Sequence, residues 1–440
     1  MGLVKHKIHL IRLLNSKGCC RRNYSGLFQE IKSTIPKPTV NLKQILDNLD
    51  EYKNEVRSRK NTRYEEILSE FCSTLDKSSV DPEQNEELMN LAAKLPNWIH
   101  PSVKNYTNDF EILKVVGEPK EFPFKPQTGT DMLKEKDLLI MEGLNHYCGE
   151  RSYYFVGDLV KLDQALIDYS VQKLLQKNFI PISVPDILHE NVINNCGMTT
   201  KGERTQVYRL DSNLFGDGLC LSGTSEMSIA ASLMNSNIPK DELPLNYVAV
   251  SRCYRAEISA LAIERGLYRV HQFTKIEMFG VCLPHQSIEM LEKYRDIQEE
   301  FFSSYDLSYR VIDMAPHELG CQANRKFDIE AWMPGTNRYG EISSCSDCTD
   351  FQSRRLNIKS GDTFLHTVNG TACAIPRTVN AIAETHQTKQ GRVIIPEVLL
   401  PFIDVDTIGM RRGPKLHNVL KNRKKILSSF QKLKIENDSS

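Results

Sequence analysis

The run VSRCYRAEISALAIERGLYRVHQFTKIEMFG, from Val250 to Gly280, is the most informative part of the chain. Two strand-like segments, 247–256 and 268–280, flank a mixed loop, and this pattern predicts a β-hairpin. Alternation along a strand directs every second side chain to the same face of a sheet. Because several charges on one face are costly to bury without a partner, the hairpin predicts a binding site. The residues concerned are Arg255, Glu257, Phe273, Lys275 and Glu277.

Outside the hairpin, long helical patterns alternate with strand-like runs. Helical spacing covers residues 164–177 and 287–305. The other strand-like runs are 180–184, 309–313, 327–332 and 339–343. Several strands follow one another across short turns, which favours an α+β fold with an antiparallel sheet flanked by helices.

Composition excludes several classes of protein. The 440 residues contain 56 Lys+Arg and 56 Asp+Glu, so the whole surface is not a polycation for nucleic acid. No run of 18 apolar residues occurs, which excludes a membrane-spanning helix and predicts no membrane partner. Twelve scattered cysteines are typical of an intracellular chain with reduced thiols.

The N-terminus has an unusual charge distribution. Six Lys or Arg residues and no acid precede Glu30, together with a stripe of Ile and Leu. This composition is typical of a mitochondrial transit peptide, which we expect to span residues 1–25 and to direct the chain to the matrix. A simple disordered basic tail is the alternative.

A charged helical region follows at residues 40–93. Its apolar residues recur at helical spacing, and Asp81 with Pro82 predicts a helix start after a turn. We expect a short antiparallel helical arm, or else an ordinary helical extension packed on the body. Prolines at positions 96 and 101 mark the boundary with the domain that follows, residues 95–409.

The hairpin resembles motif 2 of class II aminoacyl-tRNA synthetases, and its second half is similar to that of seryl-tRNA synthetases. The run DYSVQKLLQKNFIPISVPDIL, with Pro185, resembles motif 1, and NGTACAIPRTVNAIAETHQ, with Arg377, resembles motif 3. The run Gly223–Glu226 is similar to the family's serine-recognition loop, and Gly340–Ser344 is a further match. The matches follow the family order, and with the N-terminus they identify the chain as a member of the mitochondrial seryl-tRNA synthetases.

The resemblance implies an antiparallel sheet of seven or so strands, a homodimer-type architecture built through motif 1, and adenylation of serine by ATP with Mg²⁺ before transfer to tRNA(Ser). The implied catalytic residues are Arg255, Glu341 and Arg377. The implied serine-binding residues are Thr224, Ser225, Glu226, Arg255, Glu277 and Thr371. The implied ATP-binding residues are Arg255, Ala256, Glu257, Phe273, Glu341, Ile342, Ser343, Ser344 and Arg377. Glu341 and Ser344 would hold the metal, since Mg²⁺ prefers oxygen ligands.

The chain departs from the family pattern where tRNA is expected to bind. The helical arm has only about 50 residues, so two helices of about 20 residues would reach about 30 Å. The loop 258–263, ISALAI, is more apolar than the family's polar loop. The tail, residues 410–440, carries nine Lys or Arg and no acid between Arg411 and Lys434, which predicts either phosphate contacts or a solvated helix.

Two further signals favour structural roles. Cys345 and Cys348 form a lone CxxC without the two further ligands that a structural zinc requires. His271 is interpreted as structural or close to ATP, because adenylation requires no general base.

Three alternatives remain at this point. The chain could be a non-catalytic binding or regulatory paralogue, a ligase that charges a carrier protein, or an active subunit in a heterodimer with a related synthetase-like chain. The presence of Arg255, Glu257, Glu341 and Arg377 favours catalysis.

Overall fold

A computed structural model describes residues 34–78, 81–202, 205–257 and 266–409. The expected transit peptide 1–25, the loop 258–263 and the basic tail 410–440 lie outside the described residues. Among the described residues, no helix combines the length and the apolar character needed to cross a bilayer.

The described residues form helices and strands in an α+β order. The helices are α1 Leu42–Asp47, α2 Leu49–Ser58, α3 Thr62–Lys77, α4 Glu86–Ala92, α5 Gly129–Glu135, α6 Asp158–Gln176, α7 Glu190–Asn195, α8 Ser212–Phe215, α9 Ser225–Ser232, α10 Ser287–Ser304, α11 Phe351–Leu356 and α12 Ile375–Thr385. The strands are β1 Phe110–Val116, β2 Leu139–Ile140, β3 Tyr154–Phe155, β4 Ile180–Pro181, β5 Ile187–His189, β6 Leu219–Leu221, β7 Leu245–Tyr254, β8 Gln272–Cys282, β9 Tyr309–Met314, β10 Arg325–Met333, β11 Arg338–Asp347, β12 Lys359–Ser360, β13 Thr363–Phe364, β14 His366–Ala374, β15 Val393–Ile394 and β16 Thr407–Ile408.

An eight-stranded sheet organises the domain, in the order β1-β9-β10-β11-β14-β8-β7-β4. Neighbouring strands pair antiparallel from β1 to β7, and β4 joins the edge parallel to β7. The α+β class and the antiparallel sheet flanked by helices are thereby confirmed. The second half of motif 1 forms the β4 edge of the sheet.

Apolar side chains cover the two faces of the sheet differently. One face packs against α6, α10 and α12 in the largest core, with Ile276, Met278 and Ile329 among its members. The other face has a smaller core at one end, built from residues of α7, α9 and the end of β8 such as Phe279. Another apolar cluster, with Ile312 and Met314 of β9, covers part of this second face near its other end, and polar side chains lie between the two clusters. We call this second face the site face.

The predicted hairpin is the pair β7–β8, with Ala249 opposite Glu277 and Ser251 opposite Lys275. The prediction that the first strand extends to Ala256 is wrong, because β7 ends at Tyr254. The backbone N–H of Arg255 still donates to the carbonyl of His271, next in the register, but that of Ala256 donates to the carbonyl of Gln206, outside the ladder. Arg255 and Glu257 are therefore loop residues.

The region 40–93 is helical, as predicted, and Asp81 caps the turn at Pro82. The helices are shorter than the expected 20 residues: α2 has 10 and α3 has 16. They pack with α1 and α4 around a small core of their own that includes Val56, Phe71 and Leu88.

Arg59 joins this helical cluster to the sheet domain. The side chain is buried and donates hydrogen bonds to the carbonyl oxygens of Asn97, Leu319, Gly320 and Ala323 at 2.9–3.3 Å. Bonds from a charged donor are stronger than neutral ones, so the guanidinium holds the region close to the sheet domain.

Candidate active site

Three adjacent strands, β11, β14 and β8, carry the predicted site residues that lie in the sheet. The register pairs Thr371 on β14 with Glu277 on β8, and residues at even spacing from Glu277 include Lys275 and Phe273. Directly paired residues in a sheet project to the same side. The site face therefore brings these four side chains together.

Two β-bulges adjust which residues reach this face. On β11, Ser343 lies opposite Ile329 and Glu341 lies opposite Glu330, so Ile342 is the extra residue. An extra residue resets the alternation, and it turns Glu341 and Ser344 to the same side although they are three positions apart. A second bulge, at Ala372, follows Thr371 on β14.

Thr224 and Glu277, which are predicted to bind serine, form a buried hydrogen-bonded group with Lys275. Lys275 donates to the Thr224 hydroxyl at 2.9 Å and forms an ion pair with Glu277. The Thr224 hydroxyl lies 3.3 Å from the Glu277 carboxylate and also caps α9 by accepting from the N–H of Glu226. The charges of Lys275 and Glu277 compensate each other, which reduces the cost of their burial.

Glu226 lies on α9 beside this group. Burial raises the pKa of Glu226 to about 7, and the charge of Glu277 acts in the same direction. Lys275 and Arg255 oppose this rise, as does the side-chain amide of Gln352, which donates to Glu226 at 2.6 Å. The nearby thiols of Cys196 and Cys348 have pKa values raised by burial, so they remain neutral near pH 7.

Ser225 is the remaining residue of the predicted serine set. It begins α9, and its buried hydroxyl has no hydrogen-bond partner among the described residues. Its neighbour Thr224 therefore supplies the hydroxyl that joins the hydrogen-bonded group.

Arg255 lies between the two ends of the site. Its Nε donates to the carbonyl of Gly223 at 3.2 Å, and its guanidinium lies 5.4 Å from the ring centre of Phe273. Its charge lowers the pKa of both Glu226 and Glu341, so it acts on both carboxylates. The Arg255 guanidinium therefore faces both the Thr224–Lys275–Glu277 group and the β11 end of the site.

Glu341 and Arg377 form an ion pair at that end, with Nη1 3.2 Å from Oε2. Arg377, in the first turn of α12, also donates to the carbonyl oxygens of Glu341 and Tyr268. Burial alone would raise the pKa of Glu341, but the charges of Arg377, Lys326 and Arg255 lower it to about 2. Glu341 is consequently ionised at neutral pH.

The other residues predicted to bind ATP differ in how deeply their side chains are buried. Glu257 is buried and accepts from Arg269 at 3.2 Å, while Phe273 is half-buried. Ile342 lies in the core, and the Ser343 hydroxyl donates to the carbonyl of Thr371. The side chains of these two β11 residues are therefore engaged inside the protein.

The oxygen donors on β10 and β11 suit a magnesium ion. Glu341 supplies an ionised carboxylate and Ser344 a hydroxyl on the same face, and hard cations prefer such ligands. Directly opposite Ser344 is Asp328, whose Oδ1 has no hydrogen-bond partner among the described residues. The residues present fit Mg²⁺.

The sequence predicted that Lys275 lies on the binding face of the hairpin but gave it no specific role. Two other residues of the site, Gln352 and Asp328, were not predicted. Gln352 and Asp328 carried no signal, because a glutamine on a short helix and an acid in a strand are common. Gln352 accepts from Thr367 at 2.8 Å while donating to Glu226, so it fixes the orientation of that carboxylate.

Cys345, Cys348 and His271 are the residues that the sequence analysis interprets as structural. Cys345 lies in β11 and Cys348 just after it; both are buried, and neither belongs to a cluster of possible metal ligands among the described residues. His271 bonds to the hydroxyl of Tyr208 at 2.5 Å.

The Glu226 carboxyl should change protonation state near pH 7, being neutral below that pH and ionised above it. Infrared difference spectra between pH 5.5 and 8.5 should lose the signal of one carboxyl group in Glu226→Gln. The control is Glu87→Gln, at an exposed residue, and its difference spectra should retain that carboxyl signal. An unchanged spectrum in Glu226→Gln would refute the raised pKa.

Comparisons with known proteins identify the family to which this chain belongs. The model of the tRNA synthetase class II core domain (G, H, P, S and T) matches residues 208–386. The mitochondrial serine–tRNA ligase of Mus musculus is 42% identical over 331 residues, which cover 73% of this chain and 64% of that protein. This chain therefore spans just under two thirds of the mouse protein.

A second relative is matched over more of its length. The serine–tRNA ligase of Treponema denticola is 38% identical over 337 residues, covering 74% of this chain and 79% of that protein. Among solved structures, the seryl-tRNA synthetase from Pyrococcus horikoshii complexed with ATP matches with a TM-score of 0.70 and 29% identity, over 83% of this chain and 92% of that one. The chain belongs to the seryl-tRNA synthetase family of class II aminoacyl-tRNA synthetases.

Proposed function

We propose that this chain is a mitochondrial serine–tRNA ligase, which activates serine with ATP and transfers it to tRNA(Ser). The observation that carries the proposal is the site face, where the Thr224–Lys275–Glu277 group and the Glu341–Arg377 pair face a common arginine, Arg255. Such a face offers recognition of a small zwitterion beside recognition of a polyphosphate.

In the first step, a serine carboxylate oxygen attacks the α-phosphorus of ATP, and pyrophosphate leaves. Arg255 would hold both the carboxylate and the α-phosphate in two parallel hydrogen bonds. Negative charge is shared between these groups in the transition state, so a fixed cation stabilises it. No protein nucleophile is needed, and the remaining contribution is positioning.

The nucleotide would lie along the face toward β11. Phe273 would stack on adenine, Glu257 would accept from its amino group, and Arg377 would bind the γ-phosphate. Glu341 and Ser344 would hold Mg²⁺, which when bound neutralises phosphate charge. The backbone of Ala256, Ile342 and Ser343 completes this proposed set.

Serine selection would depend on paired polar groups. Glu277 would accept from the ammonium and the hydroxyl of serine, with Thr224 and Thr371 on either side and Ser225 and Glu226 beside them. A buried site built to hydrogen-bond a hydroxyl rejects substrates that lack it, because its own groups are then left unpaired.

Transfer to tRNA and location in the matrix are supported by features outside the catalytic face. The helical cluster 40–93 and the basic tail 410–440 are the proposed tRNA contacts. The acid-free N-terminal segment and the mitochondrial location in the name of the mouse relative support residence in mitochondria.

A homodimer through motif 1 is supported by exposed apolar side chains on that motif. Leu175, Ile180 and Ile187 are 43%, 44% and 50% exposed. Large apolar side chains grouped on a surface are typical of protein interfaces.

Sedimentation equilibrium should therefore detect a dimer of the mature chain that Ile187→Asp converts to a monomer, since a buried charge at an interface is costly. Leu214→Asp, at a residue 74% exposed on α8, is the control and should remain dimeric. A monomeric wild-type chain, or one recovered from mitochondria only with a different synthetase-like chain, would contradict the homodimer.

The mature chain should catalyse serine-dependent exchange between ATP and pyrophosphate. Arg255→Ala should lower kcat/KM for this exchange by about 10²–10³-fold, because the transition state loses its fixed cation. The matched control is Arg252→Ala, at an exposed arginine near the end of β7, which should stay within about twofold of wild type. Absence of exchange in a folded wild-type chain would favour the non-catalytic alternative.

A further inference from the structure

Asp328 is a buried acid whose hydrogen bonding is incomplete. The residue is 4% exposed, and its Oδ2 accepts from Lys326 at 2.7 Å. Its Oδ1 has no hydrogen-bond partner among the described residues. Leaving a buried carboxyl oxygen without a hydrogen-bond partner is costly, so this atom calls for a ligand.

The sheet register directs this oxygen toward the metal-binding pair. Asp328 on β10 lies opposite Ser344 on β11, and Glu330, two residues further, lies opposite Glu341. Residues opposite each other have Cβ atoms about 4.5–5.5 Å apart. The bulge at Ile342 thus places Asp328, Ser344 and Glu341 on one side of two neighbouring strands.

The neighbouring acid, Glu330, has a different environment. Its carboxylate is bound by Arg310 through Nε and Nη2, both at 2.6 Å. Glu330 and Asp328 therefore each pair with a cation, Arg310 and Lys326 respectively, but Asp328 also has a buried oxygen with no hydrogen-bond partner among the described residues.

We propose that Asp328 is a third oxygen ligand of the divalent cation that Glu341 and Ser344 would hold, directly or through one water. The inference rests on the proposed function, because it assumes the cation at this pair. Lys326 binds the other carboxylate oxygen and thereby orients Oδ1 toward the cation. The remaining cation positions would be taken by phosphate oxygens and water, as Mg²⁺ usually requires.

Mn²⁺ is the probe for this site because it can be followed by electron paramagnetic resonance. Its dissociation constant should be measured on the full chain with a non-hydrolysable ATP analogue, for wild type, Asp328→Asn, Glu341→Gln and Glu330→Gln. Asp328→Asn keeps the shape of the side chain and should weaken Mn²⁺ binding about 10–100-fold, as loss of a metal-site partner typically does. The control Glu330→Gln, which removes an equal charge from the same strand and face, should stay within about threefold.

The results distinguish the role of Asp328 from that of the Glu341–Ser344 pair, on which the proposed function depends. Weaker binding in Glu341→Gln with wild-type binding in Asp328→Asn would overturn the role of Asp328 and leave the metal pair intact. Equal weakening in Asp328→Asn and Glu330→Gln would overturn it too, because the effect would then be one of overall charge. Wild-type binding in Glu341→Gln would overturn the metal pair itself.

A measurement on the wild-type chain covers the case in which Asp328→Asn does not fold. Anomalous scattering from Mn²⁺ in crystals with the ATP analogue would give its position. An Asp328 oxygen within about 4.5 Å of the ion fits direct or water-mediated contact. A larger separation would contradict the proposal.

Discussion

Two backbone bulges determine which side chains share the site face. Strict alternation would send Glu341 and Ser344 to opposite sides of β11, and the extra residue Ile342 brings them to the same side. The second bulge follows Thr371 on β14 and leaves that residue paired with Glu277. The arrangement of the residues proposed to bind the metal and serine therefore depends on backbone register.

Once these charges share a partly buried face, they must compensate one another. Lys275 pairs with Glu277, Arg377 pairs with Glu341, and Gln352 binds Glu226. Arg255 acts on both carboxylate ends, and among the described residues its side chain makes one hydrogen bond, from Nε to the Gly223 carbonyl. A preorganised cation of this kind can bind substrate anions with little rearrangement, which is what adenylation requires.

The sequence alone was sufficient to predict the structural features that local residue patterns determine. It predicted the β7–β8 hairpin, the helical 40–93 region and the antiparallel sheet, because periodicity and turn residues carry those features. It could not predict the bulge at Ile342 or the exit of Arg255 from β7, since both depend on pairing with distant segments. The shorter helices of the N-terminal cluster also depend on tertiary packing, including the Arg59 contacts with residues 319–323.

We propose that Glu277, with Thr224 and Thr371 beside it, recognises the serine hydroxyl. Calorimetry with two non-hydrolysable adenylate analogues, one carrying serine and one carrying alanine, tests it most directly. We predict that the serine analogue binds at least about 100-fold more tightly, because the alanine analogue leaves buried polar groups unpaired. Equal affinities for the two analogues would contradict the account.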